Sequence, residues 1–370
     1  MQNKFLNPFF ILLIICVVFL IAVYFFANTV SVFFTQVNLS SSFTNKTPNE
    51  TTKITLSHQP EVFKPLTVGF WGDMMLARNV ELLSDIYGGD YSFLKINDLF
   101  SRNDFNLINF EGTVPLYHER TLSNVMRFSV SKNLLPQLGS INITHASLAN
   151  NHGLDFGFES YNNTKEKLQE QNIITFGHPS KIDSSSIIYL DLGRYRLSVM
   201  ALHTLYVIPN DEDLENIFRI MRATSDLQIV YVHWGIEYDP SHSQSQSALA
   251  TKLISLGADT IIGHHPHVVQ DIELIDGVPV FYSLGNTVFD QYFSATVQEG
   301  YGIELLVSEN DLEFTLLPIT SIDKHSQPRS MLASEQVNFF NSLATKSDPL
   351  LQDNIKQGKL IFPFKLASSL

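Results

Sequence analysis

The sequence predicts an α/β sandwich, a central sheet with helices outside, carried behind an N-terminal transmembrane helix. Three observations predict it: an unbroken apolar run from Phe9 to Ala27, a series of short apolar runs beyond Pro65, and helical patterns between those runs. The composition permits it. Of 370 residues 44% are hydrophobic and 16% charged, which supplies a large packed core and is too little charge for a disordered chain. Lys and Arg total 24 against 37 Asp and Glu, a formal charge of -13. A basic face that would neutralise phosphates is therefore absent, and nucleic acid is excluded as a partner. Cys16 stands alone, which rules out an internal disulfide, a CxxC redox pair and a cysteine zinc site. Any metal must be held by His, Asp, Glu and Asn.

In chain order, residues 1–8 read as a cytoplasmic N-terminus and 9–27 as a transmembrane anchor, since every residue from Phe9 to Ala27 is apolar or aromatic and a helix of that length crosses the bilayer hydrocarbon. A cleaved secretory signal is the competing reading, but Ala27-Asn28-Thr29 offers no A-x-A site. Lipoprotein processing at Cys16 lacks a small residue before the cysteine. Lys4 precedes the run and no Lys or Arg follows until Lys46, so the positive-inside rule places the bulk of the chain outside the cytoplasm, anchored once in the cell membrane. Residues 28–64, rich in Ser, Thr and Asn, read as a linker.

Residues 65–370 read as one domain with no internal repeat. Its apolar runs are Leu66–Trp71, Phe105–Phe110, His145–Ala149, Leu197–Leu202, Leu227–Val232, Thr260–Gly263 and Val278–Ser283. Runs so short with few polar interruptions suit strands buried on both faces. Helical patterns fill Phe158–Gln171, Asp213–Ala223 and Gln244–Leu256, the last stopped by Gly257 as a C-terminal capping glycine would stop it.

The chemistry falls where the runs stop. Asp73 follows the first, Glu111 the second, Asn151 and His152 the third, His233 the fifth, and His265 with His267 the sixth. Successive strand ends thus bring carboxylates, an amide and imidazoles to one edge of the sheet, where α/β folds place their sites. One such residue alone is a cap or turn former; their joint occurrence points to a metal site. Imidazole with carboxylate suits manganese, iron or zinc, and a pair of divalent ions so held can hydrolyse a phosphoester. His152 is placed to protonate the leaving oxygen. Arg78 could clamp an anionic substrate or sit as a surface arginine on a helix, and Asn286 could bind substrate and support the site or form a turn. His-x-His spacing selects His265 and His267, with His264 the alternative if the strand ends one residue earlier. His58, His118, His178, His203 and His242 show no repeated ligand pattern.

The blocks Val68–Leu76, Ser147–His152, Val232–Tyr238, Gly263–Val268 and Tyr282–Gln291 resemble the signature segments of the CapA family of capsule-synthesis proteins, which includes membrane-anchored subunits of poly-gamma-glutamate synthesis. The resemblance implies a calcineurin-like metallophosphoesterase fold in which Asp73 opens a dinuclear metal site, Glu111 bridges, Asn151 binds the second metal, and His233, His265 and His267 complete the shell. Met75 stands where such enzymes carry a histidine, and Glu111 where they carry an aspartate. It also implies other capsule or polyglutamate synthesis subunits as partners, with an anionic polymer or a phosphoester as substrate. No phosphate-binding P-loop, Gly-x-Gly-x-x-Gly turn or Gly-x-Ser-x-Gly elbow occurs, so energy-coupled amide chemistry belongs to another subunit. Two readings stand: a metal-dependent phosphoesterase at the membrane surface, and a non-catalytic polymer-binding or export subunit that keeps the fold.

Overall fold

The computed structural model describes residues 65–206 and 208–363. The anchor, the linker and the last residues, 364–370, lie outside the described residues, and within them no helix is long and apolar enough to cross a membrane.

In chain order the strands are β1 (Thr67–Met74), β2 (Phe105–Phe110), β3 (His145–Ser147), β4 (Ile174–Phe176), β5 (Ile187–Leu192), β6 (Tyr195–His203), β7 (Leu227–His233), β8 (Thr260–His264), β9 (Ile272–Ile275), β10 (Val278–Phe281), β11 (Asn286–Val288), β12 (Glu299–Val307), β13 (Asp311–Thr320), β14 (Arg329–Ser330) and β15 (Lys359–Pro363). The longer helices are α1 (Arg78–Tyr87), α2 (Gly157–Gln169), α3 (Asp211–Thr224), α4 (Gln244–Leu256) and α5 (Ala333–Lys346).

The one central sheet read from the apolar runs is two, in keeping with the central β-sheets flanked by helices that the family resemblance implies. One runs β14-β13-β12-β1-β2-β3-β4, with β11 on β1 and β15 on β13; the other runs β5-β6-β7-β8-β10-β9. Sequence reading missed β12 and β13 because Glu304 and Glu313 interrupt their apolar character, and long-range pairing rather than local pattern fixes them.

Side-chain alternation shows why two sheets suffice for three cores. Along β1, Val68 and Phe70 face one core while Trp71 and Met74 face another. On β7, Ile229 and Tyr231 join that first core while Val230 and Val232 pack under α3 and α4 with Phe218 and Leu253. Period-two burial on both faces puts the shared core between the sheets and helices outside, an α/β/β/α sandwich. Tyr231 donates its hydroxyl to the carbonyl of Trp71 at 2.5 Å, so the sheets are joined by a buried hydrogen bond below the site.

α4 starts and stops as its sequence dictates. Ser243 and Gln246 form a reciprocal cap at its start, and Gly257 takes φ 113° at its end.

Candidate metal centre

Strand register brings the polar residues together. Asp73 is level with Asn286 on β11 and with Asn109 on β2, and in the other sheet His233 is level with His203 and His264. A register shift between Phe70 and Asp73 turns the end of β1 toward this edge. Gly72 is required there, since a Cβ would lie 2.0 Å from the carbonyl oxygen of Gly285.

The acids come first. Asp73 and Glu111 are fully buried. Asp73 accepts from Asn109 Nδ2 at 2.7 Å through one oxygen and from the His265 backbone N–H at 3.2 Å through the other. His267 lies against both acids, its Nδ1 at 3.2 Å from Asp73 and its Nε2 at 3.6 Å from Glu111. Nδ1 also meets Asn286 Oδ1 at 3.0 Å, so it is the protonated nitrogen and Nε2 faces Glu111. His233 receives the Asn109 amide at Nδ1, 3.1 Å, and offers Nε2 to Asn151 Oδ1 at 2.8 Å.

His265 and His267 sit on a turn that an L-residue seldom adopts. Their φ angles are 97° and 58°, with Pro266 between them, a conformation that costs of order 1–3 kcal/mol per residue and concentrates at functional sites. The turn aims the His265 N–H at Asp73, sets the His267 ring against Asp73 and Glu111, and brings the His265 ring within reach of Glu237. His264 points elsewhere: its Nε2 lies 3.2 Å from the Trp71 carbonyl and its ring packs on Tyr231. Of the two registers open in the sequence, the geometry brings His265 and His267 to the acids.

Two sets of donor atoms, Asp73–Glu111–His267 and Glu237–His265–His267, each fall within 4.8 Å of one another, and His267 belongs to both. Glu111 Oε1 and His265 Nδ1 are buried without a hydrogen-bond partner. Buried lone pairs left unpaired are costly, and a divalent cation would satisfy them, so the residues present fit a metal. The electrostatics agree. Burial raises the Glu111 carboxyl well above its usual range, opposed by His267 and reinforced by Asp73, Glu237 and Asp155. Burial would raise Asp73 too, but the hydrogen bond and charge of His267, with His264 and Asn109, hold it below its usual value. For His267, burial is outweighed by Glu111, Asp73 and Glu237, which bring it up to about 9. Burial, aided by the charge of His267, pushes His265 down to about 3. Burial and the surrounding imidazoles push His233 well below its usual value.

His152 is held by Asp155, which accepts from Nδ1 at 2.8 Å, and by a stacked Phe128 ring at 3.7 Å; its Nε2 stands 3.8 Å from Glu111 Oε1. Asn151 is half-buried and directed at His233.

Two expectations change. Arg78 is no surface arginine: it is 5% exposed, paired with Asp290 and laid 4.5 Å over Phe128, so its charge is already met inside the protein. Asn286 contacts protein through both ends of its amide, donating to Gln291 and the Val297 carbonyl and accepting from His267, and therefore positions that imidazole. Met75 is fully buried, its sulfur accepting the Ala77 N–H, so the first motif offers one donor fewer.

Several members were not singled out from sequence. Asn109 ties Asp73, His233 and, at 3.5 Å, Glu111 together; its signal was one of two amides, with Asn106, in a strand whose other residues are apolar. Glu237 and Asp155 lie on loops, where only the spacings His-x-x-x-Glu and His-x-x-Asp hinted at them. His203 has a buried, unpartnered Nε2, and its ring stands 5.8 Å from that of His233.

Fold and site together define an α/β protein with a buried acid–imidazole centre at the strand ends. Residues 67–291 match the family model described as bacterial capsule synthesis protein PGA_cap, and the chain belongs to that family. It is 27% identical over 313 residues to the PGA biosynthesis protein CapA of Bacillus subtilis strain 168, covering 80% of this chain and 82% of the other. With the capsule biosynthesis protein CapA of Bacillus anthracis it shares 30% identity over 298 residues, 72% of each chain. A crystal structure of a hypothetical protein from Thermus thermophilus aligns at 14% identity and a TM-score of 0.42, over 72% of this chain and 98% of that one, a likeness too loose to carry an argument.

Proposed function

We propose that this capsule-synthesis protein is a membrane-anchored, extracytoplasmic metallophosphoesterase of the calcineurin-like type, working beside other capsule or polyglutamate synthesis subunits. One observation carries the reading: two donor sets share His267, and the unpartnered Glu111 Oε1 and His265 Nδ1 lie buried among them. Asp73, Glu111 and His267, through Nε2, would hold one ion; Glu237 and His265, with His233 and Asn151 nearby, would hold the second. The donor chemistry suits manganese, iron or zinc. Bound there, divalent ions supply Lewis acidity toward a phosphoryl oxygen.

The chain's own residues do the rest. Asp155 fixes the His152 ring through Nδ1, which leaves Nε2 at the Glu111 edge to deliver a proton to the departing alkoxide. Asn109 and Asn286 hold the orientation of His233 and His267. Metal analysis of the purified full chain, coupled to hydrolysis of a generic phosphodiester, tests the proposal. Bound metal with turnover supports it, and a metal-free, inactive protein overturns it.

A second reading, a non-catalytic polymer-binding or export subunit, draws on Met75 and Arg78. The first is a buried thioether where a ligand is usual in such enzymes, and the second is an arginine already neutralised by Asp290. Bound metal without turnover on any phosphoester selects this reading.

A further inference from the structure

His203 closes β6, and no spacing in the sequence marks it as a ligand. Register and pleat decide where it goes. It is level with His233 on β7, and before it Ala201 and Val199 face the core between the sheets, as Tyr231 and Ile229 do before His233. Both imidazoles therefore leave their sheet on the same face, at the edge that carries the acid–imidazole centre. His203 is 3% exposed, and the centre of its ring lies 5.8 Å from that of His233, which stands 4.8 Å from that of His265. Two imidazoles on one ion, at ordinary metal–nitrogen lengths, have ring centres about 5 Å apart, and both separations fall near that value.

The tautomer of His203 is fixed by its neighbour. Nδ1 lies 2.7 Å from the Pro179 carbonyl, which can only accept, so Nδ1 carries the proton. Nε2 is then a bare lone pair, buried and without a partner among the described residues. His178 shows what the other tautomer means. Its Nε2 is also buried and unpartnered, but its Nδ1 accepts the Ser180 backbone N–H at 3.0 Å, so the orphan there is an N–H that a cation would not approach. At His203 the orphan is an electron pair, and on the other ring neighbouring His233 the Nδ1 of His265 is left over as well. Two such unmet nitrogens are costly unless a cation takes them. We propose that His203 is a ligand, through Nε2, of the ion placed with Glu237 and His265, where it joins His233. That position is then rich in imidazole and suits zinc, while the Asp73–Glu111–His267 position is rich in carboxylate and suits manganese. The inference rests on the metal-centre reading and not on turnover.

Calorimetric titration of the metal-stripped full chain with zinc tests it. Wild type should bind two equivalents. In His203→Ala one of them should weaken by more than about 100-fold, beyond the roughly 10–100-fold that a residue orienting a ligand contributes, while the other stays as it was. Unchanged binding, or a loss within the orienting range, would overturn the inference and leave the metal centre standing. Equal weakening of both equivalents would overturn it too, by making His203 a support of the whole centre. No zinc on wild type would overturn the metal centre and this ligand with it. X-ray absorption at the zinc edge, on wild type carrying one equivalent, needs no substitution and decides the matter even if the variant fails to fold. The imidazoles of His203, His233 and His265 should surround the zinc, and a count below those three would overturn the assignment.

Discussion

Two regions of this molecule place histidine among carboxylates, and only one reads as a metal site. At His242 no buried polar atom is left over: Nδ1 meets Asp271 at 2.7 Å, the ring stacks 4.0 Å from Tyr282, and the Tyr282 hydroxyl caps Glu273 at 2.5 Å. At the strand ends, Glu111 Oε1 and His265 Nδ1 are left over although fully enclosed. Proximity of imidazole and carboxylate is common to both. Unmet lone pairs in a water-poor setting set the second apart, because a folded chain leaves such atoms unpaired rarely.

The comparison can be broken experimentally. The largest effect expected on the proposed phosphoesterase reading is at His152: replacement by Ala should slow hydrolysis of a poor-leaving-group phosphoester by roughly 10²–10⁴-fold with metal content unchanged, the usual range for a lost general acid. The defect should shrink with nitrophenyl substrates, whose leaving group scarcely needs a proton; full activity of the variant on a poor leaving group would make His152 structural. Next, His267→Ala should strip the ion held with Asp73 and Glu111, and His265→Ala the ion held with Glu237. His264→Ala and His242→Ala should retain it, as read by elemental analysis of dialysed protein. Metal loss from His242→Ala equal to that from His267→Ala would erase the distinction between the regions. A smaller effect, about 10–100-fold in metal affinity, is expected for Asn109→Ala, because it orients ligands without being one; unchanged affinity would remove it from the site.

The smallest effect concerns pH at His242. The Asp271 hydrogen bond, outweighing burial, raises its pKa above the usual 6.5. A folded-state pKa raised in this way contributes stability that is complete below the unfolded value and fades as pH rises through the folded one. Wild type should therefore exceed His242→Ala in unfolding free energy by more at pH 5.5 than at pH 9, by no more than about 1 kcal/mol for a partly exposed pair. A difference that grows with pH would contradict the assignment.

Much of the frame was legible in the sequence. The run Phe105–Phe110 is β2 to the residue, and Gln244–Leu256 is α4 with its terminal glycine, since both signals are local. β12 and β13 were not legible: their charged interruptions make sense only once the partner strand is known. Within the site, Asp73, Glu111, His265 and His267 announced themselves by position after apolar runs. Asn109 did not, because one amide in a strand says nothing about which neighbours its two ends will reach. Arg78 misled for the opposite reason. Its partner Asp290 lies 212 positions along the chain, and no spacing rule spans that distance.

The left-handed backbone at His265 and His267 has a consequence for rates. The chain meets the conformational cost of aiming those rings when it folds, so an arriving ion finds them already oriented and little ordering entropy remains to be lost on capture. On the metal-site reading, the entry of different divalent ions should then be governed by how readily each sheds its own water. Selectivity among them would be read in how long each stays.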